Sequence, residues 1–398
     1  MIKHLIKLVW NRKRPNLLIM LEIFFSFIVM FAVITLSAYY ADNYRQPLGF
    51  SYENIWNINI DMRVATDDVW SPEMVKTTEQ LFLALKDFEE IEMAAGALSS
   101  PYGFGNRTSV NEYDGKRVEM EVNEVTDDFV KVMDLQLARG RWFDKSDDAL
   151  NWQPVIINQR FAQELFGNDD PIEKKFEPWS SDGGDVRVIG VVTDFRQGGE
   201  FAGLGNYLFE RKRLDDPNNR PPQNLLIKLQ PGTTAEFEEK LVAKLQAVAR
   251  EWSFEVLPLT RMREIAFKFR LVPIIILGLI AGFLMIMVGL GLVGVLWQNV
   301  TQRIKEIGLR RAKGATAGNI HTQILGELLV LASFALLLGV IITVQFPLLN
   351  LIGFISAKVF AFALVVSLLV IYALTFIAGL YPSWLATKVQ PAEALHYE

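Results

Sequence analysis

The sequence predicts a membrane α-helical protein: four transmembrane helices, with a large α+β extracytoplasmic domain inserted between the first and the second. Three observations predict it. Four stretches are apolar over roughly 20 residues or more, the length a helix needs to cross a bilayer core of about 30 Å. Residues 41–270, between the first two stretches, have an ordinary soluble composition. Lysine and arginine gather in the short flanks of the apolar stretches, where they set the orientation of a membrane protein.

Taken in order, residues 1–16 carry Ile2, Leu5, Ile6 and Val9 at helical spacing with lysines between them, the pattern of a short cytoplasmic interfacial helix. Residues 17–40 form the first span, interrupted only by Glu22. Its apolar core is about twice the ~7–15 residues of a cleaved leader and no small-x-small site follows, so it reads as an uncleaved anchor. Residues 271–297 form the second span, free of charge, and 320–346 the third, interrupted by Glu327. Residues 359–380 form the fourth, followed by a tail over 381–398. The N-terminal flank holds Lys3, Lys7, Arg12, Lys13 and Arg14. The loop over 298–319 holds Arg303, Lys305, Arg310, Arg311 and Lys313, whereas the loop between spans three and four ends in Lys358 alone. The positive-inside rule then makes the chain multi-pass in the cell (inner or plasma) membrane, with both termini and the 298–319 loop cytoplasmic and 41–270 outside.

The edges of the outer segment read as two β-α-β units. In the first, residues 54–60 alternate as a strand, 72–88 show helical periodicity behind Ser71 as N-cap, and 91–97 are again strand-like. In the second, a strand over 224–229 precedes Thr233-Thr234-Ala235-Glu236, which has the form of a capping box for a helix to residue 252, and 254–257 is a strand. This predicts a split ferredoxin-like part over about 50–100 and 223–260. The insert over about 101–222 is richer in strands: 117–125 alternates, 154–158 and 186–192 are β-branched runs, and Asn158 can cap a short helix closed by Gly167. Residues 211–222, with their charges, asparagines and prolines, read as a loop or hinge.

Composition excludes several classes of function. The formal net charge of −5 does not point to nucleic acid as a partner. There are no cysteines, which removes disulfides, thiol catalysis and thiolate metal sites. The three histidines, His4, His321 and His396, lack the spacing of metal ligands. Neither a GxSxG elbow nor a GxxxxGK[ST] loop occurs, so no catalytic residue is assigned and no nucleotide hydrolysis is expected of this chain. Glu22 and Glu327 stand at similar depth inside their spans. They are either functional intramembrane carboxylates or groups that snorkel to the headgroups or pair with nearby Arg or Lys. Gly278 and Gly282 form a GxxxG that marks either a helix-packing face or ordinary membrane-helix composition.

The segment Gln302-Arg303-Ile304-Lys305-Glu306-Ile307-Gly308-Leu309-Arg310-Arg311-Ala312-Lys313-Gly314-Ala315 is short, basic and amphipathic. It resembles the corresponding motif of MacB/FtsX-type permeases of ABC transporters. The glutamate in Gly326-Glu327-Leu328 resembles that family's acidic residue early in the third span. Gly379-Leu380-Tyr381-Pro382-Ser383-Trp384-Leu385-Ala386 and the following Pro391-Ala392-Glu393-Ala394-Leu395 resemble its closing signature. In the outer segment, Gly140-Arg141-Trp142-Phe143, Val155-Ile156-Ile157-Asn158 and Val188-Ile189-Gly190-Val191-Val192-Thr193-Asp194-Phe195 are similar to the family's periplasmic core.

The resemblance implies that 302–315 is a coupling helix seated on a separate cytoplasmic ABC ATPase, with Arg303, Lys305, Glu306, Ile307, Arg310, Arg311 and Gly314 as its coupling residues. ATP and Mg would belong to that partner, and this chain would hold no cofactor of its own. A permease homodimer or heterodimer, a periplasmic adaptor and an outer-membrane channel are further implied partners. The implied function is export or efflux by mechanotransmission; signalling to an external partner and lipoprotein release are the alternatives within the family. Against the coupling reading stands a plain one, in which the cations only satisfy topology or touch anionic lipid.

Overall fold

The computed structural model describes residues 13–62, 71–113, 115–175, 185–216, 220–349, 351, 353 and 355–388. The expected helix over 1–16 thus lies almost wholly outside the described residues, as do the segment 391–395 and the end of the tail. The chain divides into two compact units, residues 1–42 with 271–398 and residues 43–270.

Among the described residues four apolar helices are long enough to span a membrane. Helix α1 is Lys13–Tyr44, α6 is Leu259–Gln302, α8 is Ala317–Leu348 and α9 is Ala357–Thr387. Between α6 and α8 lies the short α7, Ile304–Ala312. The bundle core follows helical spacing: Ile19, Ile23, Phe27 and Phe31 recur every fourth residue on α1 and meet Leu328, Ala332, Ala335 and Leu336 of α8 with Ile371 and Ala378 of α9. Several buried hydroxyls are satisfied within their own helices, although those of Thr35 and Thr375 have no partner among the described residues. Thr343, Ser367 and Ser383 each donate to the carbonyl four residues back, which an apolar surrounding requires.

Two helices run past the apolar stretches that announced them. Helix α6 begins at Leu259, twelve residues before Leu271, because its first turns are charged and amphipathic rather than unstructured. Helix α9 continues through Pro382 to Thr387, so the residues 381–387 expected in a tail are helical.

The second unit is built on one ten-stranded sheet. Its strands are β1 Ile55–Asp61, β2 Ile91–Ala97, β3 Arg107–Tyr113, β4 Lys116–Val125, β5 Leu137–Gly140, β6 Gln153–Asn158, β7 Val186–Val192, β8 Tyr207–Arg211, β9 Asn224–Leu229 and β10 Ser253–Pro258. The main order is β10-β1-β9-β2-β4-β8-β6-β7-β5, with β3 paired to β4. The first four strands, with α2 Pro72–Leu85 after β1 and α5 Glu236–Val248 after β9, give the ferredoxin-like order. Their core packs Ile58, Leu81, Leu225, Ile227, Phe237 and Leu241.

Helix α2 is capped by Ser71, whose hydroxyl accepts from the Met74 N–H. The capping box expected for α5 does not form. Thr233 Oγ1 donates to the Gln230 carbonyl in the preceding turn, and the helix starts at Glu236 without a side-chain cap. Local turn formation has won over the cap.

The insert is covered on both faces, which explains its uninterrupted apolar runs. Val155 and Ile157 of β6 and Leu208 of β8 face one core, while Ile156, Tyr207 and Phe209 face the other. Helices α3 Phe129–Val132 and α4 Gln159–Phe166 complete it, the latter capped by Asn158.

Candidate functional site

The basic segment folds as a helix between two sharp breaks. Helix α6 ends at Gln302, Arg303 is non-helical, and α7 runs to Ala312. At its far end the Gly314 N–H bonds to the Arg311 carbonyl and the Ala315 N–H to the Arg310 carbonyl. This pair of bonds closes a helix only with a left-handed residue at the turn, and Gly314 supplies it with φ +93°. Thr316 then caps α8, accepting from the Asn319 N–H. Gly314 therefore sets the angle at which α7 leaves α8.

One face of α7 is fastened inward. Ile307 is buried with Val300 of α6, Ile320 of α8 and Ala386 of α9. Arg303 pairs with Glu327 at 2.6 Å, both side chains being about 14% exposed. Gln323 donates to the other oxygen of Glu327 at 3.0 Å and accepts from Arg310, which also bonds Glu306 at 2.6 Å. Arg311 donates to the carbonyl of Thr387 at the end of α9 at 2.6 Å. A short loop helix is thus bolted to the end of each of the three spans around it.

The other face is open. Lys305, Leu309, Ala312 and Lys313 recur at steps of four, three and one along the helix and are all exposed, Leu309 at 49%. Among the described residues neither Lys305 nor Lys313 has a carboxylate partner. The seven residues expected to form one contact surface therefore separate. Arg303, Ile307 and Arg311 point into the fold, Arg310 and Glu306 form a pair at the rim, Gly314 shapes the turn, and Lys305 alone lies on the open face. Leu309 and Lys313 belong to that face, as their spacing from Lys305 could have indicated. Gln323 and Thr387 had no signal in the sequence.

Of the two intramembrane carboxylates, Glu327 takes the pairing alternative. Glu22 does not: among the described residues no cation pairs with it, and its carboxyl group lies against the backbone of Gly291 on α6. A Cβ at Gly291 would stand 2.4 Å from Glu22 Oε1, so only glycine leaves room there. Among the described residues nothing lies within 4 Å of where a side chain at Gly278 or Gly282 would begin, so no described helix packs on that face.

The sheet unit holds its own fixed point, where the loop 196–202 meets residues 43–46 and 263–267. Arg196 is completely buried. Its guanidinium donates to the carbonyls of Asn43 at 2.7 Å and Gln46 at 3.1 Å, just where α1 ends, and to those of Glu200 at 2.8 Å and Ala202 at 3.1 Å. Glu200 in turn pairs with Arg263 in the first turns of α6, and Arg263 lies over the Tyr52 ring at 4.9 Å. The Phe201 ring packs at a tilt against Phe267 of α6 and Tyr44 of α1. The loop 196–202 therefore grips both helices.

The recognised motifs of this unit are held by bonds of their own. Asp194 accepts from the Asn158 side chain and the Arg160 N–H, and Arg141 pairs with the buried carboxylate of Asp147 while Trp142 and Phe143 enter the core. Burial pushes that carboxyl up most strongly, but the Arg141 hydrogen bond, the Asp144 backbone N–H and the Arg141 charge together hold Asp147 below the usual aspartate range.

Four spans and a large α+β insertion define a multi-pass membrane protein of the permease type. Residues 17–244 match the MacB-like periplasmic core domain and residues 278–391 the FtsX-like permease C-terminal domain. The chain belongs to the MacB/FtsX-type permeases of ABC transporters, a family that implies a partner ATPase. It is 26% identical over 336 residues to an uncharacterized ABC transporter permease, YknZ, of Bacillus subtilis, covering 81% of this chain and 79% of that protein. It is 27% identical over 295 residues to the macrolide export ATP-binding/permease protein MacB of Haemophilus ducreyi, covering 72% of this chain but 41% of that protein. Among solved structures it resembles the periplasmic region of MacB from Actinobacillus actinomycetemcomitans, with a TM-score of 0.38 and 15% identity over 54% of this chain and 92% of that one.

Proposed function

We propose that this chain is the permease subunit of a mechanotransmitting exporter, driven by a separate cytoplasmic ABC ATPase on which ATP and Mg are bound. The observation that carries the reading is the two-faced character of α7. Its inner face is fastened to α6, α8 and α9 through Ile307, the Arg303–Glu327 pair and the Arg311–Thr387 bond. Its outer face presents Lys305, Leu309 and Lys313, an apolar knob between two cations, to a partner with a small apolar recess flanked by carboxylates. Whatever moves that face moves three spans together.

The motion would leave the membrane along α1 and α6, both of which run on into residues held by the 196–202 loop. The basic flanks support a cytoplasmic α7 and an outer sheet domain. The open face at Gly278 and Gly282 supports a second permease copy beside α6. Export also accords with the similarity to the macrolide export protein MacB of Haemophilus ducreyi.

The test is reconstitution with the ATPase. Charge reversal at Lys305 and Lys313 together is expected to lower ATPase capture and stimulation about tenfold or more, the loss of two interfacial charge contacts, with the four spans intact. Unchanged capture in that variant would sink the coupling role.

A further inference from the structure

Two aromatic rings of the sheet unit meet in the open. Phe104 is 71% exposed and Phe269 66%, and they pack edge to face at 5.2 Å. A lone exposed ring needs no explanation, but a joined pair makes an apolar patch. The loop that presents Phe104 is not slack. Ser99 exchanges two bonds with the Asn123 side chain, at 3.0 and 2.9 Å, and the Tyr102 N–H donates to the Gln197 carbonyl at 2.8 Å. The Gln197 side chain donates to Asn106 Oδ1 at 3.0 Å. Residues 99–106 are thus fastened to β4 and to the 196–202 loop, with Phe104 projecting between Gly103 and Gly105.

The place of Phe269 along α6 indicates what surrounds the pair. It stands two residues before Leu271, where the uncharged stretch 271–297 begins, a rise of about 3 Å. That stretch corresponds to about 40 Å of helix, more than the hydrocarbon core of about 30 Å, so its ends reach the interfacial layer. Exposed apolar residues recur on α6 at Ile265, Phe269, Val272 and Ile276, in steps of four, three and four, which is one helix face. From Val272 onward that face has lipid as its solvent. Gly278 and Gly282, nine and thirteen residues beyond Phe269, fall about 180° and 220° round the helix from it. The face open to a second copy is therefore not the one that carries Phe269. Lys268, exposed beside it, has a stem long enough to leave its ammonium among headgroup phosphates.

We propose that Phe104 and Phe269 enter the bilayer together, in the interfacial layer of the leaflet on the side of the sheet unit, so that the loop 99–106 is a lipid contact. Their partner is the apolar margin of a phospholipid layer, and the two rings carry no group that selects a headgroup. Through Gln197 this contact is bonded to the loop that also holds Asn43 and Arg263. The inference goes beyond the permease reading, since it needs α6 to span a membrane and needs no ATPase.

The chain has no cysteine, so a nitroxide can be attached at one chosen position at a time. The experiment uses the full-length protein in phosphatidylcholine nanodiscs, a single copy in each, labelled at Phe104→Cys. Leu279→Cys, at a position 71% exposed within the span, is the lipid reference. Leu83→Cys, at a position 60% exposed, is the water reference: α2 leads into the start of β2, and the loop 99–106 follows its other end, about 23 Å away. Power saturation reads the ratio of collisions with oxygen, which concentrates in lipid, to collisions with an ionic nickel chelate, which stays in water. The ratio at 104 is expected to exceed that at 83 about fivefold and to lie below that at 279, as an interfacial depth requires. Adding Phe269→Asp is expected to return it to the value at 83. A ratio at 104 equal to that at 83 overturns the proposal. So does a high ratio that survives Phe269→Asp, because the label then partitions by itself. Few collisions with either reagent would mark contact with protein, and a high ratio found only with two copies in a disc would mark a second permease; either also overturns it. No ATPase is present, so this result and the coupling role stand or fall separately.

Discussion

In the sheet unit, β6 and β8 send side chains into a core on each face, and polar groups are held by directional bonds as tight as the four-carbonyl cradle of Arg196. In the membrane unit the packing is sparse and unspecific by comparison. Only 11% of the most apolar window of α6 is buried within the chain, against 39% for α8. Directional contacts between helices concentrate at one end, around α7. An apolar solvent leaves helix faces free to slide, because lipid satisfies them as well as protein does. Position in such a bundle has to be fixed by a few polar bonds, and these bonds are where force can enter.

The comparison can be broken or sharpened by removing the fixed point of each unit. Arg196→Ala should have the largest effect, about 4 kcal/mol, since it strips four carbonyls of a charged donor in a site without water access. Thermal unfolding of the sheet unit, followed by protease resistance, measures it; a loss below about 1 kcal/mol would mean that the cradle is not the anchor described.

Glu327→Ala should cost about 3 kcal/mol by leaving Arg303 buried and unpaired. The loss should be local, however: amide exchange in α7 rises while the four spans keep their helicity. If the spans melt as well, the bundle is less slippery than the burial of α6 indicates. Gly314→Ala should be the mildest, about 1 kcal/mol for a side chain at positive φ. It should blunt ATPase stimulation more than it lowers stability, because it re-aims α7 without loosening it; stimulation unchanged alongside that stability loss would count against an aiming role.

The spans were legible in the sequence because apolar length is a one-dimensional property, and the fold class followed from their order. Their ends were less so. Arg261, Arg263, Glu264 and Lys268 halt a hydropathy reading at Leu271, yet they lie on a continuous helix whose other faces are apolar. The alternation of β4 and the β-branched runs of β6 and β7 announced strands, whereas the seam between β2 and β4 is a matter of pairing, which no single strand encodes. In the basic loop, charge and period marked the helix. Which arginines turn inward depended on Gln323, Glu327 and the Thr387 carbonyl, between 13 and 76 residues away. Arg196 follows a recognised motif directly, but a buried arginine held by carbonyls has no partner residue type to betray it.

Helix α6 has a further consequence, one of leverage. Its 44 residues correspond to about 66 Å of helix, measured along its own axis. Pro273 stands a third of the way along, where its ring removes the bond to the Phe269 carbonyl. Under the proposed coupling, a stiff joint at that proline would pass motion on to residues 259–270, and a compliant one would absorb it. Replacing Pro273 would therefore test the proposed coupling without touching α7 or the 196–202 loop.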